Sequence, residues 1–132
     1  MALLVWEEAL SVGDAHIDDE HKHLFSLMDQ LYEAMRNSQP REVVGALLDE
    51  LVRQTEQHFA EEEVFMKKIG YADFAEHKTE HERLLRDVYE VQSRFHAGAI
   101  SITVSVSNYL AAWLKDHIKT QDQKLMIALK QG

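Results

Sequence analysis

Residues 100–107 read Ile100-Ser101-Ile102-Thr103-Val104-Ser105-Val106-Ser107, and whether they form a strand or a helix decides the fold. Apolar and polar residues alternate strictly, which is the period of a half-buried strand. The same residues also open a helical stripe through Ile102, Val106, Tyr109, Trp113 and His117. A lone strand would find no partner in this chain. The stretch therefore reads as the start of a fourth helix, and the chain as all-α.

The segments to its N-terminal side agree. Leu24, Leu27, Met28, Leu31 and Met35 recur at helical spacing up to Asn37, with Asp18 or Asp19 as the expected cap. Pro40 suits the first turn of a second helix. Val43, Val44, Leu47, Leu51, Thr55, His58, Phe59 and Met66 carry that helix toward Gly70, a good residue to follow a helix end. Asp73 suits a third cap, before a broad face of Phe74, His77, His81, Leu84, Leu85, Val88, Val91 and Phe95 that Gly98 closes. The expected bundle helices span 18–37, 40–68, 73–97 and 101–119. An interruption at Lys119–Gln121 precedes a short C-terminal helix over 122–130. Residues 1–17 form an N-terminal arm with Trp6, Leu10 and Val12 as anchors. Four amphipathic helices with short connections imply an antiparallel up-down four-helix bundle, here a single domain over 1–132.

Composition narrows the function. The chain has 132 residues, no cysteine, 14 Lys and Arg against 23 Asp and Glu, and a net charge of −9. Disulfides, thiolate metal sites and a cysteine nucleophile are excluded. The negative charge repels nucleic acid and anionic lipid. The longest apolar runs, Met1–Trp6 and Tyr109–Leu114, have six residues each, too few to span a membrane. Glu7 and Glu8 follow the first run where a signal peptide would need a basic start. A soluble, cytoplasmic and monomeric protein is the expectation.

The unusual feature is eight histidines. In an antiparallel hairpin, residues equally far from the turn lie at the same height. With turns near residues 39, 69–70 and 99, His21 falls beside His58, His58 meets His81, Glu62 meets His77, His81 meets His117, and His77 falls next to Asp122. Seven potential ligands from four helices thus share one layer. His58 and Glu62 are four apart, as are His77 and His81, so each pair projects from one helix face. His117 and Asp122 are five apart, a splay of roughly 140° on a regular helix. The helix must end, widen or restart between them if both reach one site.

Such a layer, buried without a metal, would leave polar groups unpaired at a cost of several kcal/mol. Five imidazoles and two carboxylates exceed the needs of one tetrahedral ion. If both carboxylates bridge and the ions share an oxygen, about eleven of roughly twelve places on two octahedral ions are filled, leaving one. Imidazole and carboxylate suit iron, and raw affinity alone excludes neither zinc nor manganese.

The segments His16-Ile17-Asp18-Asp19-Glu20-His21-Lys22, His58-Phe59-Ala60-Glu61-Glu62, His77-Lys78-Thr79-Glu80-His81 and Trp113-Leu114-Lys115-Asp116-His117-Ile118, with Asp122 beyond, resemble hemerythrin, most closely its bacterial single-domain members. The match is colinear over nearly the whole chain and includes the five-residue spacing. The resemblance implies two iron ions in an oxo- or hydroxo-bridged non-haem di-iron centre. His77, His81 and His117 would hold one iron, His21 and His58 the other, and Glu62 and Asp122 would bridge. It also places Leu24, Phe59, Trp113, Leu114 and Ile118 around an O2 pocket. The implied function is reversible O2 binding for storage, transport or delivery to a protein recipient, rather than catalysis. The chain as given carries no output domain of the kind a sensor needs. The alternatives are a di-iron oxidoreductase acting on peroxide, nitric oxide or ferrous iron, and a sensor of O2 or iron. Of the remaining residues, His16 reads as structural, His23 as solvent-facing and His96 as a helix-end cation. Glu61 and Glu63 read as a solvated acidic face, and Met28, Met35, Met66 and Met126 as core fillers.

Overall fold

The computed structural model describes Ser11, residues 15–99 and residues 104–131. The expected anchors Trp6, Leu10 and Val12, the strand-like residues 100–103 and the Met126 side chain lie outside this description. Helix α1 spans Ala15–Arg36, α2 Arg41–Lys68, α3 Phe74–His96 and α4 Val104–His117. A π-helical turn, Ile118–Asp122, leads directly into α5, Gln123–Gln131. Helix α1 packs on α2 and α4, and α2 on α3, which is the antiparallel bundle expected from the sequence. The latter part of the alternating stretch is helical from Val104. Helical continuity with the Trp113 and His117 stripe prevails over the local period.

Three tight stops set the bundle's registers. Each has an N–H bonding the carbonyl three residues back, followed by one bonding five back. Ser38 and Gln39 bond Met35 and Ala34, Gly70 and Tyr71 bond Lys67 and Met66, and Gly98 and Ala99 bond Phe95 and Arg94. The pivot must take a positive φ, which is 66° at Gly70, 78° at Gly98 and 54° at Ser38. Glycine does this without steric cost and serine does not.

Two expected caps differ from the observed ones. Helix α1 already runs at Ala15, so neither Asp18 nor Asp19 caps it. Asp18 sits in the first turn and accepts a hydrogen bond from Ser11 Oγ at 2.5 Å. Asp73 does occupy the cap of α3, but its side chain makes no cap bond. Pro40 stands one place before the first turn of α2, where its carbonyl receives the Val43 and Val44 amides.

The interior has two zones. Met28, Leu31, Leu48, Leu51, Val88, Phe95 and Leu110 fill one end of the bundle with wholly apolar packing. At the other end the same four helices turn histidines and carboxylates inward. Among the described residues, no helix is long and apolar enough to cross a membrane.

Candidate metal centre

All seven residues of the expected layer are buried, none more than 3% exposed: His21, His58, Glu62, His77, His81, His117 and Asp122. Helix α1 contributes His21, α2 His58 and Glu62, α3 His77 and His81, and α4 with its π turn His117 and Asp122. The π turn answers the five-residue spacing. One widened turn brings Asp122 round to the face of His117, and Asp122 Oδ1 lies 3.3 Å from His117 Nε2. The expected interruption at Lys119–Gln121 is thus a widening, with helical backbone on both sides.

Each carboxylate divides its two oxygens between two groups of imidazoles. Glu62 Oε1 lies 2.6 Å from His77 Nε2 and 3.2 Å from His81 Nε2, while Glu62 Oε2 lies 3.2 Å from His58 Nε2. Asp122 Oδ1 faces His77 Nε2 at 3.1 Å and His117, while Asp122 Oδ2 faces His21 Nε2 at 3.0 Å. His21 and His58 approach Nε2 to Nε2 at 2.9 Å, and His81 and His117 at 3.2 Å. The result is one cluster of Glu62, His77, His81, His117 and Asp122 and another of His21, His58, Glu62 and Asp122. His58 and His81, expected at one height, both approach the Glu62 carboxylate, and Phe59 stacks on the His81 ring at 3.9 Å.

The electrostatics fit a cation. Both oxygens of Glu62 and of Asp122, together with His77 Nε2, are buried without a well-aligned hydrogen bond despite these short separations. In each cluster the ligand atoms lie within 4.8 Å of one another, close enough to share an ion. Burial opposes charge on Glu62, as does Asp122 beside it, but three imidazoles outweigh both and hold the carboxyl at about 2. Asp122 is likewise held well below its usual range by His117, His21 and His77, against its burial. Burial also opposes protonation of His58 and His77. Glu20 and Glu62 nevertheless raise His58 to about 10, and Asp122 and Glu62 raise His77 to about 9. A metal ion binds the deprotonated ligands, so it would compete with protons for these imidazoles.

Two residues that sequence reasoning left without a role hold ligand rings from outside. Glu20 Oε1 lies 3.0 Å from His58 Nδ1, and Glu63 Oε2 lies 3.0 Å from His81 Nδ1. A carboxylate on the outer nitrogen fixes the tautomer that presents Nε2 inward. Among the described residues, the Nδ1 atoms of His21, His77 and His117 have no such partner. Glu20 was within reach of the height rule, since it and His58 each lie nineteen residues from Gln39. Glu63 was not, and the expectation of a solvated face is corrected for Glu63; the Glu61 side chain is 40% exposed, as expected of such a face, and contacts the exposed His16 at 3.2 Å. His16 itself belongs to α1 rather than preceding it. His23 is exposed as expected, and His96 adds an ion pair to Asp49 at 2.6 Å.

The apolar residues expected around an O2 pocket, Leu24, Phe59, Trp113, Leu114 and Ile118, are all buried in the core. Leu24 and His58 line a cavity of about 200 Å³ on the α1–α2 side, whereas Trp113 and His117 line one of about 310 Å³ on the α3–α4 side.

A family model described as the hemerythrin HHE cation binding domain matches residues 12–129. The chain is 39% identical to a bacteriohemerythrin of Stenotrophomonas maltophilia, over 93% of its own length and 79% of that protein. It is 36% identical to one of Methylococcus capsulatus, over 93% and 94% of the two chains. A crystal structure of a wild-type hemerythrin superposes with a TM-score of 0.88 at 34% identity, covering 92% of this chain and 94% of the other.

Proposed function

The chain belongs to the hemerythrin family, and from that premise we propose that it binds O2 reversibly at a non-haem di-iron centre, as a cytoplasmic monomer that stores or delivers O2 rather than turning over a substrate. The observation that carries this reading is the division of the Glu62 and Asp122 oxygens between two sets of imidazoles. His77, His81 and His117 would hold one ion with Glu62 Oε1 and Asp122 Oδ1, and His21 and His58 the other with Glu62 Oε2 and Asp122 Oδ2. The chemistry such a pair supplies when bound is reversible two-electron exchange with O2.

The remaining work falls to the protein. The three-histidine set offers five donors and the two-histidine set four, so a small ligand has its place on the latter. Seven residues offering these nine donor atoms, with a shared oxygen filling two further places, would leave one of about twelve, which favours binding over oxygenase chemistry, which needs several. Leu24, Phe59, Trp113, Leu114 and Ile118 exclude water and so withhold the protons that would turn reversible capture into loss of peroxide. Glu20 and Glu63 keep two imidazoles turned inward.

The test is reduction without air, metal analysis, then admission and removal of O2. Two irons per chain and a visible band that appears and disappears with O2 are expected. Steady consumption of O2 with an electron donor would replace this reading with that of an oxidoreductase.

A further inference from the structure

Outside the buried centre, a second group of metal-ligating side chains spans α1 and α2. His16 Nε2 lies 3.2 Å from Glu61 Oε2 and 3.8 Å from Glu20 Oε2, and one ligand atom from each of the three residues falls within 4.8 Å of the others. Donors about 2.1 Å from a shared ion stand roughly 3.0–3.4 Å apart in octahedral or tetrahedral geometry. The observed spacing reaches that range with a small rotation of the two more exposed side chains, His16 at 73% and Glu61 at 40%. Glu20, at 19%, is the fixed member, because its other oxygen is engaged by His58 Nδ1.

Charge argues for a divalent ion. One imidazole can neutralise at most one of two neighbouring carboxylates, whereas a divalent cation neutralises both. The chain's net charge of −9 draws cations to the surface. Imidazole in the donor set favours transition-metal ions over magnesium and calcium, which prefer all-oxygen sites. A cavity adjoins the group. His16 and Glu20 line it together with Asp19, His23 and Gln54, and Leu24 and His58 also line it.

We propose that His16, Glu20 and Glu61 form a second, solvent-accessible site for one divalent transition-metal cation, beside the cavity that His58 of the buried centre also lines. Water completes the coordination. The site shares Glu20 with the two-histidine half, since the same carboxylate receives His58 on its inner oxygen. The proposal is independent of the O2 reading and needs only that the buried centre be saturated first, whatever metal fills it.

The experiment uses the metal-loaded protein, with bound metal counted before and after calorimetric titration with Zn2+. One further Zn2+ per chain is expected, with the metal already bound retained. His16→Ala and Glu61→Gln should each weaken that step by at least about tenfold. His23→Ala, which alters the same cavity without touching the three ligands, should leave it unchanged, and Mg2+ at the same concentration should give no binding heat. His16 is exposed, so its variant keeps the helical circular dichroism. Absence of a further ion would overturn the proposal. So would an ion that His16→Ala does not weaken, one lost with His23→Ala, or Zn2+ uptake matched by release of the buried metal.

Discussion

The two halves of the centre are built from the same residue types and share both carboxylates, yet they are not equivalent. Helices α3 and α4 supply the three imidazoles of one half, and the Phe59 ring stacks on one of them, His81. The other half draws two imidazoles from α1 and α2, and one of these, His58, borders a cavity. Each half has one ring held from outside by a carboxylate, Glu63 on His81 and Glu20 on His58. Glu20 also approaches the exposed His16. A cavity also borders His117 in the three-histidine half, so the halves differ in their number of imidazoles and in what else their outer carboxylates reach.

The largest test of that difference is removal of a ligand. Glu62→Ala takes an oxygen from both halves, so metal analysis after dialysis should find both depleted, with affinities down by more than about 100-fold. His21→Ala should empty only the two-histidine half and leave about one ion per chain. Equal depletion in the two variants would mean that the halves do not bind separately. A smaller effect is expected from the outer carboxylates. Glu63→Gln and Glu20→Gln should each weaken metal binding by about 10–100-fold, each in its own half, as two resolved steps of a metal titration would report. A shift of both steps by either variant would erase the distinction. The smallest effect on metal is expected at Leu24, which is 1% exposed and lines the cavity beside His58. Leu24→Ala should cost about 2–5 kcal/mol in urea unfolding, retain the metal, and hasten irreversible oxidation in air. Leu31→Ala, equally buried in the apolar zone, should cost as much stability without that acceleration. The same oxidation rate in both would reduce Leu24 to packing.

Much of this was legible in the chain because helical geometry is periodic. Hydrophobic recurrence gave the helices, the breakers gave the turns, and equal distance from each turn put His21, His58, Glu62, His77, His81, His117 and Asp122 at one height. The five-residue gap between His117 and Asp122 could not be met by a regular helix, so some distortion there followed from arithmetic alone. Local signals misled where several answers satisfy the same group. Asp18 and Asp19 have the chemistry of caps, but α1 begins ahead of them. Glu63 has the sequence pattern of a solvated face, yet it reaches His81 on another helix.

Residue types, spacing and turn positions by themselves determined an all-helical bundle with an inward layer of imidazoles and carboxylates, because rise per residue and turn location fix height. Rotation about each helix axis and the rotamer of each long side chain follow from packing against neighbours. For that reason only the tertiary structure decided that Glu62 and Asp122 each split their oxygens between two sets, that the backbone widens into a π turn rather than breaking, and that Glu20 and Glu63 each reach a histidine on another helix.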